Sequence, residues 1–326
     1  MTDFKSIFKK FLLSTALLTA SAGADGFDVD AQKVLRYGPN LSVNLTGNTP
    51  FVWGQWLPQA LGEVHYSWLE PMDELSYGDK PDQAASYWRV DAAAELSPFF
   101  GGYKLGLGFR PFRSRWLFEL NATYESYLYF RSNVEMVTAE VAGSGEIART
   151  WNADHITDNV WKDDSKWDYA QQIDFSISFG YMFSKGSVLG MNLHYLLTDI
   201  STDFNGKSYD FELNMPVFSR DFIIIMECFG RVPVTENLAF AFESNYYRTG
   251  YLRSKNTVEK ESLGYGKALV GPHFSWDNGL QSLALQIGGW RRVGKTFYNG
   301  SLAQKFLVQF EYQRNFSFPS HGDLSE

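Results

Sequence analysis

Residues 169–183 read YAQQIDFSISFGYMF. Tyr169, Gln171, Ile173, Phe175, Ile177, Phe179, Tyr181 and Phe183 take every second position, with Gln172, Asp174, Ser176, Ser178 and Gly180 between them. A period of two sends the two sets to opposite faces of an extended strand. The run is longer than a strand of an ordinary soluble sandwich, which spans about five or six residues. A tilted strand crossing a bilayer needs roughly 9 to 11.

The pattern recurs along the chain. Trp116, Phe118, Leu120, Ala122 and Tyr124 alternate with Glu119, Asn121, Thr123 and Glu125; Phe306, Val308, Phe310 and Tyr312 alternate with Leu307, Gln309 and Glu311. Twelve strands are expected, at 41–55, 61–70, 87–98, 103–112, 115–131, 168–184, 187–199, 207–230, 236–249, 264–276, 279–291 and 304–318. The eighth holds Phe218-Ser219-Arg220-Asp221, a turn sequence that would split it into two crossings and exchange the sides of the loops. Kept whole, with a bulge at Pro216, it places the short links after 184 and 277 on one side, together with one long link at 71–86, and the long ones, 132–167, 200–206, 250–263 and 292–303, on the other.

Composition narrows the class. The 326 residues are 44% hydrophobic, with 27 Phe, 18 Tyr and 10 Trp, more aromatics than a soluble core needs. Mean hydropathy is -0.26, and no apolar run reaches the length of a spanning helix. The net charge of -8 offers no basic face to nucleic acid, so no nucleic-acid partner is expected. Cys228 is the single cysteine and has no disulfide partner within the chain.

Residues 1–24 have the layout of a secretory signal peptide. Lys5, Lys9 and Lys10 precede an apolar stretch from Phe11 to Ala20, and Ala22-Gly23-Ala24 places cleavage before Asp25, with Gly23 as the near alternative. The expected layout is a signal peptide at 1–24, a closed antiparallel all-β up-and-down transmembrane barrel at 25–318, and a tail at 319–326.

The signal peptide, the long alternating strands and the closing Phe306–Phe318 strand resemble those of bacterial outer-membrane β-barrel proteins in general. The resemblance implies a bacterial outer-membrane location and contact with membrane lipids and lipopolysaccharide. Phe318 looks like the terminal aromatic read by the barrel assembly machinery during insertion, although Pro319–Glu326 follow it here. The likeness is architectural and names no activity.

With the apolar face toward lipid, the interior receives Arg89, Asp91, Glu95, Lys104, Arg110, Glu119, Glu125, Asp174, His194, Glu227, Glu243, Lys267, His273 and Glu311, along with Asn192, Gln286 and Gln309. Such charges pair across a barrel and fill it; left apart, they line a water-filled passage whose acidic surplus favours cations or small neutral solutes. A passive porin-like channel is therefore the expected function. The loop 132–167 supplies an alternative, a surface ligand site built from Trp151, Asp154, Asp158, Trp161 and Trp167. A hydrolase is the third reading. Its motifs are thin: His65-Tyr66-Ser67 sets a His and a Ser on one face, and Asp154-His155 are adjacent rather than alternate. No metal-ligand spacing or phosphate-binding loop occurs, so no cofactor and no metal are expected. Parity sends Glu227 inward and Cys228 to the lipid, because a carboxylate near mid-membrane is far costlier outside than in the lumen.

Overall fold

The structure, a computed structural model, describes residues 38–52, 55–56, 59–72, 86–97, 100–129, 135–136, 168–183, 186–200, 207–210, 215–218, 220–249, 263–277, 280–293 and 304–317. The signal peptide, almost all of loop 132–167 and the tail beyond Ser317 lie outside them.

Twelve strands form a closed antiparallel barrel. They are β1 Gly38–Val52, β2 Gln59–Pro71, β3 Tyr87–Leu96, β4 Phe100–Arg110, β5 Trp116–Tyr129 and β6 Asp168–Met182, followed by β7 Val188–Ile200, β8 Arg220–Pro233, β9 Leu238–Thr249, β10 Leu263–Trp276, β11 Gln281–Val293 and β12 Gln304–Ser317. Each pairs with its chain neighbours, and β12 returns to β1 from Asn40↔Ser317 through Phe51↔Phe306. Closure is what lipid demands, since an open edge would leave backbone groups unpaired at several kcal/mol each. Strand lengths run from 10 residues in β3 to 15 in β1 and β6, enough to cross tilted.

The eighth crossing differs from expectation. It is not one long bulged strand: β8 begins at Arg220, and the residues before it form a hairpin, Lys207–Asp210 against Met215–Phe218. That hairpin pairs with Glu135–Met136 of the long loop in a separate three-stranded sheet. Its two short arms return the chain to the end it left, so the crossings stay at twelve and no loop changes sides. The 14 residues of β8 suffice to cross without them. Pro216 sits on an edge strand of the small sheet, where its missing N–H leaves no interior ladder bond unmade. The expected strand 41–55 likewise ends early, at Val52, and Gln55–Trp56 fold back on Phe51 and Val52.

Exposure alternates as the sequence pattern requires. In β6, Tyr169, Ile173, Phe175 and Phe179 are exposed, whereas Gln172, Ser176 and Ser178 are buried. This inverts a soluble protein and matches a barrel with lipid outside. Exposed Trp68, Trp88, Trp116, Trp276 and Phe316 lie near the strand ends on the side of the chain termini, as an interfacial girdle does. Tight turns close that end: Asp277 takes φ 57°, and Leu280 N–H donates to Asp277 O at 3.0 Å. Inside the same end, Leu117, Met182 and Val188 pack together with half-buried Phe229 against them. Phe229 lies over its ladder partner Gly190, where any side chain would meet the ring.

Candidate functional site

All fourteen charged or histidine residues read as lumen-lining stand on the inward parity of their strands, buried or half-buried. The five loop residues Trp151, Asp154, Asp158, Trp161 and Trp167 lie outside the described residues. Twelve of the lumen residues fall into two groups, and His273 and Glu311 share a ladder row with Ala284 between them.

The first group lies on β1–β5. Lys104 Nζ reaches three carboxylates, Glu95 at 2.5 Å, Glu125 at 3.2 Å and Glu63 at 4.0 Å. Asn44 Nδ2 donates to Glu63 at 3.0 Å. Toward the inner end, Arg89 Nε meets Asp91 at 2.8 Å, and His65 Nε2 approaches the other Asp91 oxygen at 3.2 Å. Arg110 Nη2 donates to Glu119 at 2.6 Å, the Tyr87 hydroxyl donates to the same oxygen at 3.1 Å, and the Arg110 guanidinium lies 4.9 Å from the Tyr87 ring centroid. Glycine makes room for this layer. A Cβ on Gly108 would come within 2.9 Å of Asn121 Oδ1 and 3.1 Å of Arg89 Nε, so a larger residue in β4 would displace the guanidinium. Every carboxylate here touches a permanently charged base, the arrangement that makes a buried charge tolerable.

The second group lies on β6–β10 and follows one ladder row. Glu119 of β5 pairs with Ser178, Ser178 with Asn192, Asn192 with Glu227, Glu227 with Asn245 and Asn245 with Lys267. Glu227 is 2% exposed and accepts a hydrogen bond from Asn192 Nδ2 at 2.9 Å. His194 sits beside it, with Nδ1 2.7 Å from Asp174 Oδ2 and Nε2 4.0 Å from Glu227 Oε2. Lys267 Nζ meets Glu243 at 2.6 Å. Asp174 and Glu227 therefore have His194 as their one basic neighbour within 4 Å among the described residues.

Parity found the inward set, but some partners were missed. Glu63, Asn44, Tyr87 and Asn245 also face inward; Glu63 was legible two residues before His65, whereas Asn44 and Asn245 carry no charge to mark them. His65 proves to be a partner of Asp91 rather than of Ser67. Ser176 is the ladder partner of His194, whose Nε2 lies 4.0 Å from Glu227 Oε2. Among the described residues no three His, Cys, Asp or Glu side chains are placed to hold a metal ion. Glu227 points inward and Cys228 is exposed on the outer face.

An even-stranded closed barrel with an apolar exterior and a charged interior defines the class: a transmembrane β-barrel of the outer-membrane type. No family model matches the chain, and no curated protein matches it by sequence. Among solved structures, an outer-membrane channel from Pseudomonas putida F1 is 13% identical with a TM-score of 0.48, covering 86% of this chain and 97% of that one. The translocator domain of the autotransporter NalP from Neisseria meningitidis is 11% identical, TM-score 0.41, over 97% of this chain and 95% of its own. The NanC porin is 8% identical, TM-score 0.40, over 83% and 98%. These are likenesses of barrel architecture.

Proposed function

We propose that the protein resides in a bacterial outer membrane, after cleavage of its signal peptide, as a passive porin-like channel for small solutes with a preference for cations. The observation that carries this is the charge balance of the interior. Glu63, Asp91, Glu95, Glu119, Glu125, Asp174, Glu227, Glu243 and Glu311 outnumber Arg89, Lys104, Arg110, Arg231 and Lys267 on the inner face. Although they point inward, the side chains of Glu63, His65 and Asp174 remain 19%, 25% and 22% exposed. An acidic lining in contact with water concentrates cations and repels anions.

Conductance of the purified protein in a planar bilayer tests this reading. Stable current with a reversal potential on the cation side in a salt gradient is expected; folded protein that carries no current would overturn it. The pairing of Glu135–Met136 with the Lys207–Asp210 hairpin supports a second reading, a ligand-binding outer surface, because it ties the long loop to the neighbouring one. Loss of ligand binding on deletion of 132–167, with no current before or after, would favour that surface.

A further inference from the structure

We infer that the row Asn192–Glu227–Asn245 is a binding site for one small monovalent cation, an alkali ion or a protonated amine. This rests on reading the interior as a passage that favours cations. The three residues are consecutive ladder partners on β7, β8 and β9, so their inward side chains stand side by side. Asn192 is 1% exposed and Asn245 4%, and the Oδ1 of each has no hydrogen-bond donor. Their amide nitrogens are already committed, Asn192 Nδ2 to Glu227 and Asn245 Nδ2 to Tyr247 Oη at 2.9 Å, which leaves the oxygens as the unsatisfied atoms. Two orphaned buried acceptors beside a buried carboxylate are a cost unless something positive or donating meets them.

His194 stands beside the row, its Nε2 4.0 Å from Glu227 Oε2. Lys267, whose ammonium meets Glu243 at 2.6 Å, makes no hydrogen bond to either amide oxygen. The donor chemistry selects the occupant. Hard oxygens suit an alkali ion or an ammonium group. A divalent ion would gather several carboxylates, and among the described residues no such convergence exists.

The full-length protein in detergent provides the test. Its unfolding midpoint is followed against increasing NaCl, KCl or methylammonium chloride, with N-methylglucamine chloride as a bulky reference at equal ionic strength. A saturable rise with at least one small cation, absent with the reference, is expected. Glu227→Gln should move the half-saturation concentration up by about tenfold or more, whereas Glu125→Gln, in the other half of the lumen, should leave it in place. Should Glu227→Gln not assemble, Asn245→Leu supplies the same comparison. A response to methylammonium alone assigns the site to an amine-bearing solute; a response to Na+ or K+ assigns it to the ion. Equal response to all four salts, or an unchanged half-saturation in both variants, overturns the inference. Current without saturable stabilisation would leave the channel and remove the site; saturable stabilisation without current would leave the site and remove the channel.

Discussion

The two sides of the lumen use similar residues to different ends. On β1–β5 each carboxylate is clamped by Lys104, Arg89 or Arg110, and the clamps are multidentate. On β6–β10, Lys267 clamps Glu243 in the same way, but Asp174 and Glu227 face an imidazole and an amide instead. A guanidinium stays charged in any protein environment, so the first side is a fixed cross-brace. An imidazole or an amide can change partner or protonation state, which leaves the second side able to respond to what enters. The contrast separates charges held by permanent cations from charges that are not.

Removing a brace should have the largest effect. Arg110→Ala leaves buried Glu119 with only Arg89 at 3.6 Å and the Tyr87 hydroxyl, and unfolding in urea should show a loss of about 3 kcal/mol. Arg110→Ala with Glu119→Gln should recover part of it. By contrast, Glu227→Gln in N-methylglucamine buffer should shift stability by no more than about 1 kcal/mol, because it deletes a charge that has no permanent counterion. Equal losses on the two sides would erase the distinction.

The next effect is on selectivity. Asp174→Asn with Glu227→Gln should lower the cation-to-anion permeability ratio measured from reversal potentials, and Glu95→Gln, with Lys104 remaining on its other partners, should lower it less. Packing comes third. Gly190→Val drives a side chain into Phe229 at the apolar inner end and should cost about 1–3 kcal/mol by the same urea assay. The smallest effect belongs to Cys228. Its change to Ala should stay within about 0.5 kcal/mol, and the native thiol should react with an apolar maleimide dissolved in the bilayer far faster than with a charged one in the water.

Strand parity made the inner face of this barrel legible before any coordinates. A run such as 169–183 fixes which side chains travel together, because a slip of one residue would send aspartate and serine to lipid. Parity does not say which inward residues on different strands share a level. The row from Glu119 to Lys267 depends on the stagger between strands, which loop lengths do not encode. Asn245 shares the parity of Glu243, but nothing in the sequence sets it across Glu227 from Asn192. The segment 207–218 failed in another way. The turn sequence at 218–221 marks a break before β8, but nothing local says whether the segment ahead of it crosses or folds back as a hairpin.

The seam between β1 and β12 joins the two ends of the chain along twelve paired positions from Asn40↔Ser317 to Phe51↔Phe306. Every other barrel seam joins sequence neighbours and can form locally as the chain is made. This one carries the full loop-closure cost of the barrel, so it is the natural last event in folding. Until it forms, the sheet has two open edges, each a template for another chain. A chain truncated before Gln304 would keep both edges open for good, and its fate would be set by aggregation in the watery compartment instead of by anything in its lumen.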